Sequence, residues 1–200
     1  MSIYELKPKF QALLRPPTGA LARAGVTANQ VTVTAAVLSV ALGIYVAVRV
    51  PERWPFLLIP LWMFVRMAFN AIDGMFAREH GQRSRLGAYL NELTDVISDA
   101  ALYLPFALLP PFSPLWTGIV IVLAVVSEFA GALGPSVGAS RRYDGPMGKS
   151  DRAFVFGALG LWIGTTGTLP EWTAYTMPLL AAALALTIFN RVQRGLREGT

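Results

Sequence analysis

Residues 58–78 read Leu58-Ile59-Pro60-Leu61-Trp62-Met63-Phe64-Val65-Arg66-Met67-Ala68-Phe69-Asn70-Ala71-Ile72-Asp73-Gly74-Met75-Phe76-Ala77-Arg78. The run is apolar over about the 20 residues that a helix needs to cross a bilayer, yet it carries Arg66, Asn70 and Asp73. An ionisable side chain at bilayer depth costs about 2.5–3.5 kcal/mol on insertion scales, so such residues mark function or a specific partner. The three lie at i, i+4 and i+7, which is one face of a helix.

The next apolar stretch answers in kind. Asn91, Asp95 and Asp99 fall at i, i+4 and i+8, again one face, with Glu92 beside them. A short basic turn from Glu79 to Arg85 joins the two stretches, so the polar faces can meet. A single Arg–Asp pair gluing two helices would explain two of these charges but not a cluster of acids. Carboxylate and amide oxygens at one depth suit a hard cation such as Mg²⁺, Mn²⁺ or Ca²⁺. Gly74 and Gly87 fit either close approach of a ligand to the backbone or small-residue helix packing. Arg78 follows Asp73 by five residues, and a guanidinium beside a cation site suits a diphosphate.

The rest of the chain supplies the surroundings. It is 54% hydrophobic and 14% charged, against about 25% charged in soluble domains; its mean hydropathy is +0.50. Six spans are expected, at roughly 30–49, 54–78, 86–109, 115–135, 152–169 and 172–191. They are punctuated by Pro51, Pro55, Pro110-Pro111, Pro114, Pro135, Gly145-Pro146 and Pro170. Runs this long and continuous are helices rather than barrel strands. With the N-terminus in the cytoplasm, 14 of the 17 basic residues fall on cytoplasmic segments, leaving Arg49 and Arg53 outside and Arg66 within a span. Both termini are therefore expected in the cytoplasm of a multi-pass plasma-membrane protein. The net charge of +5 then reflects basic loops at an anionic leaflet rather than nucleic-acid binding. No cysteine is present, which excludes disulfides and thiolate zinc sites. The lone histidine, His80, is given no role.

Three peripheral features add expectations. Ile3 to Leu14 places apolar residues near helical spacing among Lys7, Lys9 and Arg15, which suits an amphipathic interfacial helix. Glu128, in the fourth span, is a further intramembrane acid. Lys149 and Arg152, with Arg141 and Arg142, form a basic patch that reads either as a site for a phosphorylated alcohol or as ordinary positive-inside bias.

The segment Asn70-x-x-Asp73-Gly74-x-x-Ala77-Arg78-x8-Gly87-x3-Asn91-x3-Asp95 resembles the signature of the CDP-alcohol phosphatidyltransferases. Thr27-Ala28-Asn29-Gln30-Val31-Thr32 and Gly148-Lys149-Ser150-Asp151-Arg152 are similar to further elements of that family. The resemblance implies an all-α fold of six transmembrane helices after a cytoplasmic interfacial helix, and a homodimer. It implies an N-terminal segment 1–28, a catalytic domain 29–193 and a tail 194–200. It also implies transfer of a phosphatidyl group from CDP-diacylglycerol to an alcohol, with release of CMP. Asp73, Asp95, Asn70 and Asn91 would hold one or two Mg²⁺ or Mn²⁺ ions, and Asp95 would also be the base. Asp73, Gly74, Ala77, Arg78 and Gly87 would hold the nucleotide diphosphate. The family has aspartate where this chain has Asn70 and Asn91, so the site loses two negative charges, which Asp99, Glu92 or Glu128 could restore. Hydrolysis of CDP-diacylglycerol, or binding of a lipid nucleotide without turnover, are the alternatives at such a site.

Overall fold

The computed structural model describes residues 3–199, with side chains from Phe10 onward. Met1, Ser2 and Thr200, and the side chains of Lys7 and Lys9 on the expected interfacial helix, lie outside that description. Among the described residues all regular structure is helical: α1 (Ile3–Arg23), α2 (Ala28–Val48), α3 (Leu58–Glu79), α4 (Arg85–Tyr103), α5 (Pro114–Ala132), α6 (Lys149–Thr166) and α7 (Thr176–Glu198). Four stretches are long and apolar enough to cross a membrane: Ala28–Val48, Trp54–Glu79, Pro114–Ala132 and Glu171–Glu198. Helices α4 and α6 occupy the other two expected positions. They fall outside that group because α4 carries Arg85, Glu92, Asp95 and Asp99, and α6 carries Lys149, Asp151 and Arg152.

Local chemistry sets the helix starts. The Thr27 hydroxyl accepts from the Gln30 N–H, and the Gln30 side chain accepts in return from the Thr27 N–H at 2.9 Å; this reciprocal cap satisfies two otherwise orphan donors. Ser84 caps α4, its Oγ accepting from the Gly87 N–H at 2.9 Å. Asp151 accepts from the Gly148 N–H at 2.9 Å and so starts α6. Helix α7 runs unbroken to Glu198, through most of the stretch expected as a tail.

Helix α2 packs along both α3 and α4, α3 packs on α6, α4 on α5, and α5 on α7. Helix α1 lies across α3, where Phe10 meets Phe64 edge-on and Arg15 pairs with Glu79 at 3.4 Å. The core divides along the bundle axis. One end is apolar, with Phe56, Tyr103, Phe106 and Phe156 fully buried and the Tyr103 and Phe156 rings stacked at 3.8 Å. Outward-facing Val37, Phe64, Val122, Phe154 and Leu179 stay exposed, as a lipid-facing surface requires. The other end gathers the starts of α2, α4 and α6 with the ends of α3, α5 and α7, and there the polar residues collect.

Candidate active site

Two chambers open at the polar end. The first, about 480 Å³, lies between α2, α3 and α4 and is lined by Asn29, Thr32, Asp73, Gly74, Arg78 and Gly87, among others. Asp73 is buried, and its Oδ2 accepts from the Thr32 hydroxyl at 3.1 Å. A Cβ on Gly74 would lie 3.2–3.5 Å from the Arg78 guanidinium, so the glycine gives the arginine room to lie back over α3 beside the chamber. A Cβ on Gly87 would come within 3.0 Å of the Asn29 side-chain oxygen, so this glycine lets α4 close on the start of α2. Ala28 N–H donates to the Gln82 side chain at 2.7 Å, tying the turn after α3 to the same place. Ala77 completes the α3 wall.

The second chamber, about 600 Å³, lies between α3, α4, α5, α6 and the end of α7. Asp95, Glu128, Arg141, Lys149 and Arg191 line it. Asn70 and Asn91 line both chambers and form the junction between them. Asp95 stands at this junction's second side, bonded through Oδ1 to Arg66 at 3.0 Å and through Oδ2 to Lys149 at 2.5 Å.

Behind the second chamber the buried charges pair off. Arg66 reaches Asp99 at 2.5 Å, and Arg152 reaches both Asp99 at 3.2 Å and Glu128 at 3.0 Å. Arg191 meets Glu128 at 3.4 Å and also donates to the Ser127 carbonyl. Arg141 meets Glu128 at 3.4 Å and pairs closely with Glu92. The three acids considered as compensating cation ligands are thus each held by arginine. Of the four basic residues of the patch, Lys149 and Arg141 face the chamber. Arg152 is 1% exposed, with both terminal guanidinium nitrogens bonded, and Arg142 turns away to Asp144 and Glu198. In the loop before α6, burial pushes the Asp144 carboxyl up, but hydrogen bonds from Arg142 and Arg194 outweigh it and hold the group below the usual carboxylate range.

Two site residues carry little signal in the sequence. Thr32 belongs to the segment that resembles the family's entry to its first span, and Asn29 and Thr32 are spaced i, i+3 on one face. Arg191 reads as one of the basic residues flanking the last span. The signal was its place on the inward stripe Leu180, Leu184, Thr187, Arg191, Gly195, all of them buried.

The profile of the family described as CDP-alcohol phosphatidyltransferase matches residues 25–189. The chain belongs to that family. An inner membrane protein of Escherichia coli K12, YnbA, is 42% identical over 194 residues, covering 97% of this chain and 94% of that protein. Phosphatidylinositol phosphate synthase of Mycobacterium tuberculosis, solved with CDP-DAG bound, superposes with a TM-score of 0.76 at 26% identity, over 92% of this chain and 94% of that one. The same enzyme in complex with manganese and citrate gives 0.72 at 25% identity, over 91% and 88%. This phosphatidyltransferase is therefore a membrane enzyme of phospholipid synthesis.

The family's divalent cation can be tested against the donors present. Asp73, Asp95, Asn70 and Asn91 offer only oxygen, as hard divalent ions require. Their summed charge is that of two carboxylates, and Asp95 already carries two cationic partners. Asp73 has one neutral partner, Thr32. By donor type these oxygens suit a hard cation beside Asp73, and among the described residues no three Asp, Glu, His or Cys side chains cluster there.

Proposed function

We propose that this enzyme transfers the phosphatidyl group of CDP-diacylglycerol to an alcohol that enters the second chamber, and that CMP leaves from the first. One observation carries this reading: two chambers meet at Asn70 and Asn91, with Arg78 on one side and Asp95 on the other. A hydrolase would need no second chamber of this size.

In the first chamber Asp73, Gly74, Ala77, Arg78 and Gly87 bind the nucleotide diphosphate. Arg78 donates to its oxygens, and the glycines let it approach the backbone. The starts of α2 and α4 point their partial positive charge at the same place. One Mg²⁺ or Mn²⁺, held by Asp73 with the amide oxygens of Asn70 and Asn91, supplies charge stabilisation on the diphosphate when bound. Asp95 takes the proton of the acceptor hydroxyl, whose oxygen attacks the lipid-linked phosphorus. The bond from that phosphorus to the bridging oxygen breaks, and CMP departs with it. Lys149 and Arg66 fix the Asp95 carboxylate toward the junction, so the acceptor is positioned before it reacts.

The surrounding architecture follows the same reading. Six helices, α2–α7, span the membrane, α4 and α6 because their charges face inward and are paired. Helix α1 lies on the cytoplasmic surface, both termini and the site are cytoplasmic, and two chains pair as a homodimer. The test is CMP release from CDP-diacylglycerol with and without candidate alcohols. Acceptor-dependent CMP and a new phospholipid are expected; acceptor-independent CMP would mean hydrolysis, and none at all would mean a lipid-nucleotide scaffold.

A further inference from the structure

The two chambers satisfy their charges in opposite ways. In the first, Arg78 and Arg83 line the wall with no carboxylate at ion-pair distance among the described residues, and the only acid there is Asp73. That chamber presents free guanidinium groups to an anion. The second is lined by three cations, Arg141, Lys149 and Arg191, and by three acids, Asp95, Glu128 and Asp151. Formal charge cancels, and each cation is already engaged: Lys149 by Asp95 at 2.5 Å, Arg191 by Glu128 at 3.4 Å, and Arg141 by Glu128 and Glu92. Glu92 adds a fourth carboxylate from α4, just outside the lining.

A phosphomonoester carries a charge of about −1.5 to −2 near neutral pH. In the second chamber it would meet cations whose charge is already offset by carboxylates, and carboxylates that repel it. Glu128 cannot easily yield, because Arg152 holds it from behind at 3.0 Å and is itself buried. Hydroxyl groups face no such conflict. They donate to the oxygens of Asp95 and Glu128 and accept from Lys149, Arg141 and Ser150, and about 600 Å³ accommodates several of them.

Resting on the transferase reading above, we infer that the acceptor is an uncharged polyol that bears no phosphate. The presence of cations at this site, which as sequence reads equally as a phosphate patch, is explained by their acidic partners. Glu92 acts as the screen on Arg141, since it is the partner that no second arginine shares.

The experiment uses the purified full-length protein in lipid, with CDP-diacylglycerol and Mn²⁺, and matched acceptors: glycerol against glycerol 3-phosphate, and inositol against inositol 1-phosphate. CMP and the lipid product are both measured. The unphosphorylated member is expected to lead in kcat/KM by at least about tenfold, because like-charge juxtaposition costs more than the 1.4 kcal/mol that tenfold represents. Glu92→Gln, which removes one of the two carboxylates on Arg141 and leaves only Glu128, is expected to shift that ratio toward the phosphorylated member. Preference for the phosphorylated member in the wild type, or a ratio unmoved in Glu92→Gln, overturns the inference. Calorimetric titration of glycerol 3-phosphate into protein saturated with CDP reads the second chamber without turnover. No binding by the wild type and measurable binding by Glu92→Gln support the inference, and tight binding by the wild type overturns it. Absence of acceptor-dependent CMP with every compound defeats the transferase reading instead, and the titration still decides the charge of the chamber.

Discussion

Replacing Arg152 by methionine separates a structural cation from a ligand-binding one. Arg152 is 1% exposed and bonds Asp99 at 3.2 Å, Glu128 at 3.0 Å, the Ser127 hydroxyl at 3.3 Å and the Met147 carbonyl at 3.3 Å. Removing one partner of a buried ion pair costs about 3–5 kcal/mol, because the other charge stays buried. Here Asp99 keeps Arg66 at 2.5 Å, and Glu128 keeps Arg141 and Arg191 at 3.4 Å, so the stranding is incomplete. The lower end, about 3 kcal/mol, is expected. At about 2–4 °C per kcal/mol for a chain of this size, the melting temperature in detergent falls by about 6–12 °C. Adding Glu128→Gln removes one of the stranded charges and should recover part of that loss, giving a coupling between the two sites. The acceptor KM of whatever fraction remains folded should be near wild type. An unchanged melting temperature with a raised acceptor KM would refute this and make Arg152 a substrate ligand.

Asp95→Asn removes the proposed base while Arg66 keeps its bond to Asp99, so the protein should fold normally and lose about 10²–10⁴ in turnover, measured as CMP release; retained turnover would dismiss Asp95 as base. Arg78→Gln removes an exposed, charge-assisted donor worth about 1.5–3 kcal/mol, so the KM for CDP-diacylglycerol should rise by about ten- to a hundredfold with no change in melting temperature. The Asp144 carboxyl is held below its usual range, so its ion pairs contribute stability above about pH 4 that disappears as pH falls through the depressed value. The melting-temperature gap between wild type and Asp144→Asn should therefore be constant near neutrality and close in acid, and a gap that persists at the lowest pH contradicts the assignment. A Cβ on Gly43 would sit 2.2 Å from the Ala101 carbonyl oxygen, so Gly43→Ala should force α2 from α4 and destabilise by about 1–3 kcal/mol in thermal melts; a neutral result would mean the contact relaxes freely.

Sequence alone determined whatever depends on spacing within one helix and on the bilayer as solvent. The apolar runs set the helices, and Thr27 and Gln30 set where α2 begins, because a cap is a local exchange of hydrogen bonds. The i, i+4, i+7 spacing put Arg66, Asn70 and Asp73 on one face, and the family signature followed from intervals along the chain. Which charges meet across helices was decided only by tertiary structure. Lys149 and Arg152 are three residues apart on α6, yet one lines a chamber and the other is sealed behind it, because the rotation of α6 against α3 is fixed by packing. Glu92, Asp99 and Glu128 looked like spare cation ligands until Arg66, Arg141, Arg152 and Arg191 were brought to them from other helices. The basic patch likewise keeps or loses its pull on phosphate according to the acids set against it, and those facing Arg141, Lys149 and Arg152 lie 13 to 54 residues away in the chain. A polar group buried in lipid must find its partner somewhere, but the sequence states only the need, and the packing of the bundle chooses the partner.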